Sequence, residues 1–327
     1  MKSKRNINTK EICDQIKKGN ITALSKAITL SESNIDSDQE LANKILANLK
    51  TKNNDSIRIG ITGVPGAGKS TFIESFGNHI TNLGLKLAVL TIDPSSSVTK
   101  GSILGDKTRM ETLSANKNVF IRPSPASNFQ GGVGKNTRES IFLCESAGYD
   151  IILIETVGVG QNEISVAEMV DFFLLLKISG SGDELQGIKR GIIEMSDLIA
   201  INKCDGDNVK DSIKAKNEFK LALQLFPKKK SNWKPQVLTC SSLTGEGLAE
   251  IWECITNYVN LTKKNNYFYE NRINQNKSWL LQIIDYSLRK SFFNRKSIKI
   301  KLNNLIKKIE EQKISIFEAS RKILSEI

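Results

Sequence analysis

Gly63-Val64-Pro65-Gly66-Ala67-Gly68-Lys69-Ser70 fits the pattern G-x-x-x-x-G-K-[ST] and stands between an apolar run, Ile57–Thr62, and a helical pattern. The order strand, glycine-rich turn, helix decides the fold. Glycines let the turn curl until its backbone N–H groups converge on phosphate oxygens, and the helix that follows adds the positive end of its dipole. In such a loop Lys69 neutralises the β- and γ-phosphates and Ser70 offers its hydroxyl to Mg²⁺.

Outward from this loop, apolar runs at Leu87–Ile92, Ile151–Glu155, Phe172–Leu176, Leu198–Asn202 and Gln236–Cys240 read as strands, most of them followed by helical patterns. This alternation predicts an α/β fold of the P-loop NTPase kind, with a doubly wound, mostly parallel sheet and ligands at the carboxyl ends of its strands. Helical extensions are expected at both ends. Ile12, Ile16, Leu24, Ile28, Leu41, Ile45 and Leu49 recur at helical spacing, with Ser37 and Glu40 as a capping box. Trp279, Ile283, Ile284 and Leu288 predict one C-terminal helix, Leu302, Leu305, Ile306 and Ile309 a second, and Ser315 with Glu318 caps a third. The division expected is 1–52 for an N-terminal helical extension, 53–262 for the nucleotide domain and 263–327 for a C-terminal helical region.

The base is read at Asn202-Lys203-Cys204-Asp205, directly after a strand. A carboxylate at Asp205 can accept from the N1–H and N2–H₂ edge of guanine, whereas adenine offers no amino group there. Charged hydrogen bonds contribute about 1.5–3 kcal/mol each, so GTP is expected over ATP. Lys203 lays its stem along the base, Asn202 ties the loop to the P-loop, and Ser241-Ser242-Leu243 closes over the base through backbone N–H groups. Cys204 fills a variable position and His79 is read as a partly exposed helix residue.

Acidic groups complete the phosphate end. Glu155 closes a strand where NTPases place an acid near Mg²⁺, and the N–H of Gly158 is placed to sense the γ-phosphate. Asp93 is a second acidic candidate, with a turn-initiating Asp before Pro as the plain alternative. Asp106 and Arg109 lie in Gly101–Met110, a loop suited to touching Mg²⁺ or phosphate. Gln161 is a candidate for positioning the attacking water. The glycine-punctuated stretch Ser179–Arg190, with Asp183, Glu184, Gln186 and Lys189, exceeds what a plain GTP-binding domain needs, although a simple connection remains the alternative.

The bulk properties narrow the class. No apolar run approaches the roughly 20 residues that span a bilayer, and no apolar segment follows the basic N-terminus, so a cytoplasmic location without membrane attachment is expected. Five cysteines without a C-x-x-C pair and a single histidine argue for free thiols and against a transition-metal centre. Net charge is +12, and residues 262–327 carry 15 Lys/Arg against 6 Asp/Glu. That excess reads as solvated helix faces; nucleic acid is disfavoured because no aromatic RNA-binding signature accompanies it.

Taken together, the chain resembles the methylmalonyl-CoA mutase-associated GTPases, once described as kinases of basic amino acid transport. The resemblance rests on Ala27–Ser33, Gly63–Thr71, Asp93–Ser97, Gly101–Met110, Arg122–Pro125, Gly131–Val133, Glu155–Gln161, Gly182–Lys189 and Asn202–Asp205. It implies a homodimeric GTP hydrolase that binds an adenosylcobalamin-dependent acyl-CoA mutase and gates loading or removal of its cofactor. It adds Thr71 to the GTP-binding set Gly63, Val64, Pro65, Gly66, Ala67, Gly68, Lys69 and Ser70. It also implies that Asp93, Asp106 and Glu155 surround Mg²⁺ with Ser70, that Gly182–Lys189 is an additional switch loop, and that the C-terminal helices make the dimer. Ser179 and Ser181 stand where Pro and Ala are expected, and Gly134-Lys135-Asn136 replaces Ala-Arg-Lys, leaving the phosphate ligands intact. The alternative is a nucleotide-dependent kinase acting on a small basic substrate, for which no general base is evident.

Overall fold

A computed structural model of the chain describes residues 8–49, 55–93, 110–125, 132–156, 162–180 and 190–326. Its centre is a seven-stranded sheet of β1 (Ile57–Gly63), β2 (Leu87–Asp93), β3 (Val119–Pro125), β4 (Ile151–Glu155), β5 (Phe172–Ile178), β6 (Leu198–Asn202) and β7 (Gln236–Thr239), in the order β3-β2-β4-β1-β5-β6-β7. Every pairing is parallel. Parallel strands are covered on both faces, which is why β4, β5 and β6 read as unbroken aliphatic runs.

β3 is an additional strand, absent from the expected set. Pro123 and Pro125 interrupt its run, and proline is tolerated in a sheet only where its missing N–H would face away from the neighbour. β3 meets that condition because, among the described residues, it is the outermost strand and pairs only with β2.

The N-terminal helices are α1 (Thr9–Lys17), α2 (Ile21–Glu32) and α3 (Asp36–Asn48). Their apolar faces join one core with Ala88, Leu90, Ile152 and Ile154 of the sheet and with Ile141 and Cys144 of α6 (Gly132–Ser146), which follows the single-turn α5 (Glu111–Ser114). On the opposite sheet face Ile59, Ile61, Val89 and Leu153 pack against α4 (Lys69–Asn82) through Phe72, Ile73 and Phe76. The period of two along β2, with Ala88 and Leu90 on one side and Leu87 and Val89 on the other, separates the two cores. The expected capping box at Ser37 and Glu40 is not formed. α3 starts one residue before Ser37, at Asp36, and Ser33 turns the chain by accepting from Ile35 N (3.2 Å) and donating to Asp38 Oδ2 (2.8 Å).

Among the described residues the remaining α-helices are α7 (Asn162–Ala167), α8 (Arg190–Met195), α9 (Val209–Leu223), α10 (Leu248–Lys264), α11 (Tyr267–Asn294), α12 (Lys296–Glu310) and α13 (Ile316–Leu324). Two compact units divide within α11, between Gln275 and Asn276. In the second, α12 and α13 share a small core of Ile298, Leu305, Ala319 and Ile323, and Ser315 Oγ caps α13 by accepting from Glu318 N (3.1 Å).

The first turns of α11 are held by a buried polar network below the sheet. Arg272 donates to both carboxylate oxygens of Asp171 (2.8 and 2.6 Å) and stacks over Phe268, 4.5 Å from the ring centroid. Asp171 also accepts from Arg58 N (2.8 Å). Arg58 in turn makes a two-pronged pair with Glu145 (2.8 and 2.9 Å), and Gln275 Nε2 donates to Val170 O (2.7 Å). The root of α11 is thereby fixed to the amino ends of β1 and β5.

Candidate functional site

Five parallel strands, β1, β2, β4, β6 and β7, deliver their carboxyl ends to one edge, and the predicted elements among the described residues begin there. β1 ends on Gly63, where an added Cβ would lie 2.4 Å from Leu176 O, so no other residue fits. The loop returns through Gly66 and Gly68, both at φ +84°, in the left-handed region that glycine occupies without strain. A Cβ on Gly68 would also sit 2.9 Å from Asn202 Nδ2. Ala67 is buried, Val64 half-buried, and Pro65 and Thr71 are exposed. Lys69 and Ser70 open α4, so the loop's N–H groups and the helix dipole face the same space.

The Lys69 ammonium donates to Gly63 O (2.7 Å) and Val64 O (3.3 Å). Burial holds its pKa below the ordinary lysine value, while the nearby carboxylates of Glu155 and Glu163 act in the opposite direction. Register places Glu155 beside Ile61 of β1 on one side and Thr91 of β2 on the other. Glu155 therefore stands next to the P-loop stem and two residues short of Asp93, which closes β2. Glu163 was missed from the sequence. It lies in the first turn of α7, only 2% exposed, and the available signal was a carboxylate two residues past Gln161 at the start of a helix.

The second loop is joined to the first by one side chain. Asn202 Nδ2 donates to Ala67 O (2.9 Å), while its Oδ1 accepts from Ser242 N (3.1 Å) and Ser242 Oγ (2.8 Å). Lys203 adopts φ +60°, an uncommon state for a non-glycine residue, with its carbonyl held by Asn208 Nδ2 at 2.7 Å. This turns the Lys203 stem toward Gly68, its Cε 3.9 Å from the position a Cβ would take there. Asp205 Oδ2 accepts from Ser241 Oγ, which itself accepts from Thr244 N (3.1 Å). Leu243 is 82% exposed beside this relay, and Ser75 of α4 reaches across to Ser242 O (2.5 Å). Gly63, Val64, Pro65, Gly66, Ala67, Gly68, Lys69, Ser70, Thr71, Asn202, Lys203, Asp205, Ser241, Ser242 and Leu243 thus share one edge of the sheet. His79 is partly exposed on α4. Asp106, Arg109, Gly158, Gln161, Asp183, Glu184, Gln186 and Lys189 lie outside the described residues.

The strand order, the loop and its helix define a P-loop nucleoside triphosphatase. The family model described as methylmalonyl Co-A mutase-associated GTPase MeaB matches residues 24–297. GTPase ArgK of Escherichia coli (strain K12) is 46% identical over 266 residues, covering 81% of this chain and 80% of that protein. The methylmalonic aciduria type A homolog, mitochondrial, of Mus musculus is 43% identical over 302 residues, covering 89% and 73%. The crystal structure of an LAO/AO transport system kinase superposes with a TM-score of 0.75 at 34% identity, covering 98% of each chain. The chain belongs to the methylmalonyl Co-A mutase-associated GTPase family, and it is a GTP-hydrolysing P-loop enzyme. No helix among the described residues is long and apolar enough to cross a membrane.

Removing the P-loop ammonium tests the phosphate end. Lys69→Ala is expected to weaken GTP affinity by about 10- to 100-fold, the worth of one charge-assisted bond, with circular dichroism unchanged. Isothermal titration at fixed Mg²⁺ measures it.

Proposed function

We propose that this GTPase is a chaperone of an adenosylcobalamin-dependent acyl-CoA mutase, methylmalonyl-CoA mutase first among them, and that GTP hydrolysis gates loading of the mutase cofactor and removal of damaged cofactor. The observation that carries the reading is the family match over residues 24–297, which includes the P-loop and the base loop that Asn202 joins to it. In this reading Lys69 and the loop amides bind the phosphates, Lys203 and Asp205 take the guanine, and Ser241, Ser242 and Leu243 close over it. Oxygen donors suit a hard divalent cation; Ser70 and Glu155, with Asp93 and Asp106, would hold Mg²⁺, which when bound neutralises charge between the β- and γ-phosphates. The Gly158 N–H senses the γ-phosphate, and Asp183, Glu184, Gln186 and Lys189 pass that state to the client together with Arg109 and Gln161.

The reading includes a homodimer, supported by the apolar residues Leu280, Leu281, Ile284 and Leu288, all exposed along α11. It also includes a cytoplasmic location, which suits five cysteines that form no disulfide. The test is capture of a purified cobalamin mutase on the immobilised protein with GDP and with a non-hydrolysable GTP analogue. Capture that depends on the nucleotide is expected; no capture in either state overturns the reading. The name of the solved relative, a transport system kinase, favours a second reading, phosphoryl transfer to a small basic substrate. With labelled GTP, free phosphate is expected on thin-layer plates, and label moving to arginine or ornithine would support the kinase instead.

A further inference from the structure

Two buried hydroxyls sit where the strand that ends in the P-loop meets the strand that ends in Glu155. Thr62 is 1% exposed and Thr156 is fully buried, and Thr156 Oγ1 donates to Thr62 Oγ1 at 2.9 Å. Thr156 N also donates to Ile61 O (3.0 Å), carrying the β1–β4 ladder one residue past the end of β4. Around them β1 and β4 are built from Ile59, Ile61, Leu153 and Ile154, all fully buried. A valine has nearly the shape of a threonine and no polar atom to desolvate, so packing alone would favour valine at both positions. A hydroxyl placed there is tolerated because it has a partner, and the partner is the other threonine.

The position of the bridge gives it a task. One residue beyond Thr62 is Gly63, whose carbonyl receives Lys69 Nζ. One residue before Thr156 is Glu155, whose carboxylate bears on Lys69 electrostatically. Two residues after Thr156 the sequence reaches Gly158. The bridge therefore ties the end of β1, from which the phosphate-binding loop springs, to the end of β4, which carries Glu155.

We infer that the Thr62–Thr156 hydrogen bond is a positioning element for GTP hydrolysis: it sets the Glu155 carboxylate against the P-loop, and it matters to turnover rather than to holding nucleotide. This rests on the reading of Glu155 as the acid at the metal. Nucleotide affinity comes from several loop amides, Lys69 and the base loop together, and the stem of the phosphate loop is held by its ladders to β4 and β5 as well as by the bridge. Turnover depends on groups held in register to within a fraction of an ångström, and a misplacement of about 1 Å can cost about 100-fold.

The experiment uses the full chain and four variants, Thr156→Val, Thr156→Ser, Thr62→Val and the double valine, with Glu155→Gln as a reference. Steady-state GTP hydrolysis, GDP affinity by titration and melting temperature are recorded for each. For Thr156→Val a fall in kcat of about 10- to 100-fold is expected, with GDP affinity within about threefold of wild type. Thr156→Ser, which keeps the hydroxyl, should restore most of the rate. The double valine should be no slower than the worse single variant, because both single changes remove the same bond. An unchanged kcat in Thr156→Val while Glu155→Gln is impaired overturns the bridge alone. A parallel loss of rate, GDP affinity and melting temperature assigns the threonines to packing and also overturns it. Wild-type turnover by Glu155→Gln removes the reading on which the proposal stands, and the proposal with it.

Discussion

Asp205→Asn is expected to lower affinity for GTP by about 100-fold or more, equivalent to about 3 kcal/mol or more, and to abolish selection for guanine. The relay behind Asp205 explains why so small a change has so large an effect. Ser241 Oγ donates to Asp205 Oδ2 and is itself fixed by Thr244 N. An asparagine has a single acceptor oxygen, and this relay fixes it on the Ser241 side. The amide NH₂ is then left facing one of the two guanine donors, so one charge-assisted bond is lost and a donor opposes a donor. Xanthosine triphosphate carries a carbonyl in place of that amino group and should recover part of the lost affinity. Titration with GTP, ATP and xanthosine triphosphate at fixed Mg²⁺ reads all three, and an unaltered preference for guanine would refute the assignment of Asp205.

The second large effect concerns stability. Arg272→Met should destabilise the first unit by about 3–5 kcal/mol, because removing one partner leaves a buried charge uncompensated. The side chain of Asp171 is only 1% exposed, and Arg272 supplies two of its bonds. What remains is the N–H of Arg58, too little for a carboxylate out of water. Lys313→Met is the control: its pair with Glu311 is more than half exposed on both sides, and such pairs contribute roughly 0–1 kcal/mol. Urea denaturation of both variants tests the contrast. Equal midpoints for Arg272→Met and wild type would show that the network adds nothing to folding.

Legibility in the sequence followed locality. The P-loop, its helix and the strands β1, β2 and β4–β7 were readable because buried parallel strands are short aliphatic runs and the loop's glycines are contiguous. β3 was not, since Pro123 and Pro125 break the pattern that defines a strand. Asn202 and Asp205 could be placed because they follow a strand directly. The Thr62–Thr156 bridge spans 94 residues and the Arg272–Asp171 pair 101. Pairs so distant leave no spacing in the chain from which to read them. Glu163 lay closer to hand, but its burial depends on how α7 packs. α7 is followed by Val170, and Gly60 makes room for this segment: a Cβ there would lie 3.0 Å from Val166 Cγ1 and 3.2 Å from Val170 Cγ2.

The two prolines on β3 also govern what the molecule avoids. A bare strand at the rim of a sheet is an open template on which another chain can pair and from which fibres can grow. Imino nitrogens at 123 and 125 remove two of the donors such pairing needs, and at the far rim β7 is only four residues long. Both borders of the described sheet are thus poor templates for a strand from another copy.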